Sequence, residues 1–239
     1  MRMAILPNDP RADWPRRTVM VTLVAAVCGC TSNQYPSETP RQPMASIPPG
    51  APDVAASAAP SGRANAQLSP SVARAIEHVL KQTSNHPRAA VLDFSAHSTT
   101  PRFHLIDRAS GQGLQSLRVS HGQGSEGKRD DGYAEVFSNV PGSNASSLGL
   151  YRTAEIYRSD VYPGLAMRLD GLSPTNANAR SRFIVVHEAR YMDPGTWKGK
   201  KMGRPGRSDD CFVFSKDDRD AVISNLQGGA LIYAIYEKP

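Results

Sequence analysis

Between residues 89 and 236 the apolar residues come in short runs of four to eight, each closed by a turn signal. The runs are Ala89–Phe94, Arg102–Asp107, Leu114–Ser120, Leu150–Tyr157, Leu165–Asp170, Phe183–Val186 and Leu231–Tyr236. Runs of that length, rich in β-branched and aromatic residues, fit buried or half-buried strands. Arg108-Ala-Ser-Gly-Gln-Gly113 is a turn that pairs the second run with the third as a hairpin. Many short strands at even spacing with few helices predict a mainly β domain, a barrel or a sandwich. One helix is predicted after Ser69-Pro70, where Val72, Ile76, Val79 and Leu80 share a face and His78 lies off it as a solvated or satisfied histidine. A second is predicted over 216–225, with Ser215 as its cap and Gly228-Gly229 ending it.

The chain ahead of these runs has a different character. Residues 1–30 read as an export signal: Arg16-Arg17 precede the apolar run Thr18–Val27, which is too short for a comfortable membrane span. The run ends in Val27-Cys-Gly-Cys30, which resembles a bacterial lipoprotein box with Cys30 as the lipidated residue. Cys28 is an uncommon occupant of its place there. An uncleaved anchor or ordinary secretion with cleavage nearby are the alternatives, and all of these place the domain outside the cytoplasm. Residues 31–67 are rich in Pro, Ala, Ser and Gly with almost no large apolar side chains, so they are expected to form a disordered tether. Residues 68–86 then supply the first helix, expected to pack on a single domain over 87–239.

Two residues carry the chemistry. Phe183–Val186 is expected to be a strand ending at His187, and Cys211 stands before Phe212-Val-Phe214. The Gly-, Lys- and Arg-rich segment 194–206 between them is expected to be a surface loop that folds back and brings the two together. A thiol held against an imidazole is an activated nucleophile, because the ion pair lowers the thiol pKa and the imidazole supplies a base. Of the three cysteines, Cys28 and Cys30 lie in the leader, so Cys211 has no partner for an internal disulfide in the folded part. It is either an inert core residue or a reactive one, and the polar run Ser208-Asp-Asp210 before it favours a loop-to-strand junction, where nucleophiles are often displayed.

The succession Phe137–Gly149, Arg168-Leu-Asp-Gly171, Asn178–Arg182, Ile184-Val-Val-His187 and Gly206-Arg-Ser208 up to Cys211 resembles the murein L,D-transpeptidase catalytic-domain family, from about Ala90 to the end. The resemblance implies a β-rich fold and a donor whose L-to-D peptide bond in a peptidoglycan stem is attacked to give a thioester, which an amine or water resolves. It implies Cys211 as nucleophile, His187 as base, Ser208 as the serine of the Ser-x-Gly-Cys signature, and the backbone N–H groups of Asp210 and Cys211 as oxyanion donors. Arg180, Arg182 and Arg207 match basic positions suited to carboxylate-rich stem peptides, with structural ion pairing as the alternative for each. His121 matches a position expected to line the groove or to be structural.

Two departures stand out: Asp210 where the family has Gly before the cysteine, and Glu188 where it has Gly after the histidine. Both are expected to crowd or distort the oxyanion site, and a carboxylate beside the thiol opposes thiolate formation.

The net charge of +6 comes with no nucleic-acid-binding motif, so nucleic acid is not the expected partner; attraction to an anionic wall is. The histidines are scattered and no cysteine pair remains in the domain, so neither a metal nor another cofactor is expected. The expected partners are therefore stem peptides and, through Cys30, a membrane, with the domain itself a monomer.

Overall fold

The computed structural model of the chain describes residues 68–201 and 203–238; the predicted signal, Cys30 and the tether lie outside the described residues. The chain enters through helix α1 (Pro70–Lys81), opened by Ser69, whose hydroxyl accepts the Val72 N–H, and by a proline in the first turn. Its C-terminal carbonyls are closed by Arg108, which donates to Val79, Leu80 and Gln82. Val72, Ala75, Ile76 and Val79 are buried against Ala89, Val91, Ile106 and Leu231.

The strands are β1 (Arg88–Asp93), β2 (Phe103–Asp107), β3 (Gly113–Leu117), β4 (Gly149–Arg158), β5 (Leu165–Gly171), β6 (Val185–Glu188), β7 (Phe212–Phe214) and β8 (Leu231–Ile235). Helices α2 (Pro194–Trp197) and α3 (Lys216–Leu226), with short 3-10 turns at Gln123–Ser125 and Arg190–Met192, complete the elements. The strands form one mixed sheet in the order β3-β2-β1-β8-β4-β5-β6-β7. The pairs β1·β8 and β6·β7 are parallel and the rest antiparallel.

That sheet is curled into a half-barrel. Six strand spacings separate β2 from β7, about 29 Å if the sheet were flat. Yet the rings of Phe103 on β2 and Phe214 on β7 meet edge to face at 5.1 Å. Just beyond β3, the Ser120 N–H donates to Val213 O at 2.9 Å, and Gly122 bridges to Ser208. The concave side holds the main core, including Leu92, Phe94, Phe103, Tyr151, Met167, Leu169, Val186, Phe212 and Phe214, with Val222 and Leu226 of α3 packed into it. The mainly β expectation holds, as one curled sheet.

Three local readings change. The expected strand at Phe183 begins at Val185, because Arg182 is drawn into the interior and Phe183 turns outward at φ 56°. His187 therefore lies inside β6 instead of after it. The segment 194–206, expected to be loop throughout, opens with α2, whose Trp197 is buried.

The contact between β2 and β7 sets a test of the curl. Phe103→Ala should lower unfolding free energy in urea by about 3–5 kcal/mol, whereas Val140→Ala, at an exposed site, should stay within about 0.5 kcal/mol. Equal effects would mean that the ring contact does not hold the curl.

Candidate active site

Alternation along β6 and β7 decides which side chains share a face. Val186, Phe212 and Phe214 point into the concave core. Val185, Cys211 and Val213 pack together on the other face with Ala166 and Met192, joined by Tyr157, Tyr162 and Tyr191. In the parallel register His187 lies opposite Val213. Its side chain shares the face of Val185 and lies diagonal to Cys211. The structure thus brings the two onto one face, linked through a third residue that the sequence reading missed. The Tyr162 ring stacks on His187 with centroids 3.7 Å apart, and its hydroxyl is a hydrogen-bond partner of the Cys211 thiol. The only sequence sign of Tyr162 was its place before the Pro163-Gly164 turn.

The thiol is 5 % exposed and directs its hydrogen toward Phe183 O at 3.5 Å, with Asp210 Oδ1 at 4.0 Å. Burial, and then the Asp210 carboxylate, push its pKa up to about 12. His187, buried and bonded at Nδ1 to Glu188 O at 3.0 Å, is pulled down to about 4 by desolvation. At neutral pH the resting pair is therefore thiol and neutral imidazole, not the ion pair the sequence suggested.

Asp210 has φ 102°, in the left-handed region that glycine adopts without cost. The backbone before the cysteine thus takes a glycine-type conformation despite its side chain. The strain, about 1–3 kcal/mol, is held by Arg182, whose Nη2 donates to Asp210 Oδ2 at 2.9 Å in a buried pair. Glu188 likewise turns away from the thiol and pairs with the buried Arg219 of α3. Each carboxylate that replaces a glycine is met by its own buried arginine.

The remaining predicted residues fall into place around this centre. Ser208 Oγ donates to Cys211 O at 2.8 Å, and its backbone is stitched to His121 O and the Gln123 N–H. Gly122 leaves no room for a side chain there, since a Cβ would stand 2.3 Å from Asn144 O. His121 is buried between Arg102, which donates to Nδ1 at 2.9 Å, and Glu126, 3.2 Å from Nε2. Burial and then Arg102 drive its pKa to about 2, so the ring is neutral, with its proton on Nε2. Arg182 does not face solvent: besides Asp210 it donates to Ser138 O, Ala145 O, Ser147 Oγ and Ser143 Oγ. Arg180 is more exposed and pairs with Glu155 and Asp170. Arg207 binds Glu126 and Asp130. Among the described residues no group of three or more His, Cys, Asp or Glu is placed to hold a metal ion.

The profile of the L,D-transpeptidase catalytic domain matches residues 62–235. The chain belongs to that family. Solved structures similar to this L,D-transpeptidase-family chain include Bd1075 of Bdellovibrio bacteriovorus, at 14% identity over 63% of this chain and 48% of that one, with a TM-score of 0.39. An L,D-transpeptidase from Mycobacterium smegmatis matches at 15% identity over 62% and 58%, with a TM-score of 0.37. L,D-transpeptidase 3 from Mycobacterium tuberculosis, in complex with a faropenem-derived adduct, matches at 14% over 62% and 60%, with a TM-score of 0.38. The chain spans about half to three-fifths of the length of these proteins. No curated protein matches the sequence.

The buried pair at the site sets a pH test. Burial raises the Asp210 pKa from 3.8 to about 6, with Arg182 pulling the other way. The folded chain therefore holds this proton more tightly than the unfolded chain. The stability tied to it is full below the unfolded value and is lost as pH rises through the folded one. Relative to Asp210→Asn, the wild type should lose up to about 3 kcal/mol between pH 4 and pH 7 in urea denaturation. A constant difference across that range would mean that Arg182 keeps the carboxylate ionised throughout.

Proposed function

We propose that this family member is a cysteine acyltransferase acting on peptidoglycan stem peptides, with Cys211 as nucleophile and His187 as base. The observation that carries the reading is the glycine-type backbone at Asp210, next to a cysteine that shares a face with a neutral histidine. It supports an oxyanion site formed by the N–H groups of Asp210 and Cys211, because that conformation is what the family glycine supplies.

In the proposed reaction Cys211 changes rotamer, away from the Phe183 carbonyl and toward the imidazole on its own face. As Sγ bonds to the donor carbonyl carbon, the thiol proton passes to His187 and the carbonyl oxygen takes the negative charge. When the C–N bond breaks, His187 returns the proton to the leaving amine and a thioester remains. An amine acceptor, or water in a carboxypeptidase, then adds to the thioester and the C–S bond breaks. The Tyr162 hydroxyl favours the thiolate and offsets part of the cost of burial. Ser208 fixes the Cys211 carbonyl and with it the turn that carries the oxyanion donors. For the whole chain, the same reading places the domain in the periplasm as a monomer, held to a membrane through a lipid on Cys30. Among the described residues no helix is long and apolar enough to cross a membrane.

A second reading is favoured by one observation, the thiol pushed up to about 12. In it the chain is a lipoprotein that binds murein through the same groove without turnover.

Intact mass after incubation with imipenem separates the two. The enzyme should give a covalent adduct that maps to Cys211 and is lost in Cys211→Ala; a folded wild type with no adduct means the binding lipoprotein. Asp210→Gly removes the carboxylate beside the thiol while keeping the backbone conformation available. It should acylate roughly tenfold faster at pH 7, as expected for about one unit off the thiol pKa. Slower acylation would mean that the carboxylate assists the chemistry.

A further inference from the structure

Four non-glycine residues have a positive φ among the described residues: Asp130, Asn144, Phe183 and Asp210. Three are Asp or Asn, whose short polar side chains tolerate the left-handed region. Phe183, at φ 56°, is the bulky exception, and its ring is 59 % exposed. Left-handed backbone and a solvent-facing aromatic ring are both unfavourable, and here they fall on one residue.

The chain around it explains the backbone but not the ring. Arg182 and Ile184 are buried on either side. The turn is pinned by Arg182 N–H to Asn178 O at 2.8 Å, Phe183 N–H to Arg180 O at 3.1 Å and Ile184 N–H to Ala179 O at 3.0 Å. With both neighbours held inward, residue 183 faces out in a conformation that glycine would adopt freely. The ring therefore answers to something outside the turn. Its own carbonyl is an acceptor for the Cys211 thiol at 3.5 Å, so the exposed ring belongs to a residue whose backbone touches the candidate nucleophile. Local strain that the surroundings impose next to reactive groups points to ligand contact.

We infer that the Phe183 ring is a specificity contact for the donor, taking the hydrocarbon side-chain face of the peptide segment that flanks the carbonyl attacked by Cys211. The inference rests on the stem-peptide reading above. Three arginines near the site already have carboxylate partners within the chain: Arg180 on Glu155, Arg182 on Asp210 and Arg207 on Glu126. The ring instead offers what an apolar surface offers, dispersion and the release of water from a flat face. Because the Phe183 carbonyl also holds the thiol, a donor seated on the ring lies against the residue that must let the thiol go.

The test uses the full chain carrying Cys211→Ser, so that binding is read without turnover, and a synthetic tetrapeptide stem of alternating L and D residues as the probe. Calorimetry should show Phe183→Gly weakening the probe roughly tenfold or more, and Phe183→Tyr holding it within about threefold. The melting temperature of Phe183→Gly should be unchanged or higher, since glycine relieves the φ. Binding by Phe183→Gly within about twofold of the parent would overturn the inference and leave the stem-peptide reading standing. A melting temperature lowered in Phe183→Gly but not in Phe183→Tyr would also overturn it, since the ring would then be structural. A parent that binds no tetrapeptide overturns the stem-peptide reading and this inference with it.

Discussion

A buried guanidinium is costly to leave unpaired, and the neighbourhood of Cys211 is arranged around Arg182, whose two terminal nitrogens are fully engaged while its Nε has no partner. Arg182 lies inside the domain and distributes its two terminal nitrogens over Ser138 O, Ala145 O, two serine hydroxyls and the Asp210 carboxylate. In doing so it fixes the connector from Ser138 to Ser147, which has no helix or strand of its own. It also fixes the turn at residue 183 and the strained residue before the cysteine. Removing one partner of such a cluster is costly, because the others are left desolvated. The paired replacement of two glycines by carboxylates is tolerable for this reason: Asp210 has Arg182, and Glu188 has Arg219.

The curl of the sheet does the coarser positioning. It brings the segment after β3 against β7, so that His121, Gly122 and Gln123 are stitched to Ser208. The two faces of β6 and β7 then divide the work. Phe212, Phe214 and Val186 join the main core, while Cys211, Val185 and His187 face a smaller cluster with Tyr162. A thiol in that setting is shielded from solvent, and burial raises its pKa beside a neutral imidazole.

Most of the framework was legible in the sequence because it is written in local signals. Ser69-Pro70 opens α1 and Ser215 caps α3 as their types require, and the short apolar runs became strands. What failed was non-local. Phe183-Ile-Val-Val looked like a strand from its first residue, and only the burial of Arg182 explains why Phe183 leaves it. The partners of Arg182 lie about 28 to 44 positions away in sequence, beyond any spacing rule. Tyr162 was invisible for the same reason, since its meeting with His187 depends on how β5 aligns with β6. The substitution of Asp for Gly at 210 pointed to distortion by residue type alone; the buried cation that meets this carboxylate is one that sequence order does not place nearby.

The parallel pairing of β6 with β7 has a consequence for how the domain is assembled. Parallel neighbours cannot be joined by a tight turn, and here the return path runs over residues 189–211. Closing a path of that length costs about 3 kcal/mol of chain entropy, repaid by only three residues of strand and the apolar contacts they bring. β7 is also an edge of the sheet, and its aromatic contact with β2 forms only once the curl is complete. The strand next to the thiol is thus among the last that can dock, and an incompletely folded chain carries a cysteine without its histidine neighbour. The proposed acyl transfer is thus open only to the finished domain, while the thiol of a nascent or partly unfolded chain is freed of the burial that raises its pKa and meets solvent without a base beside it.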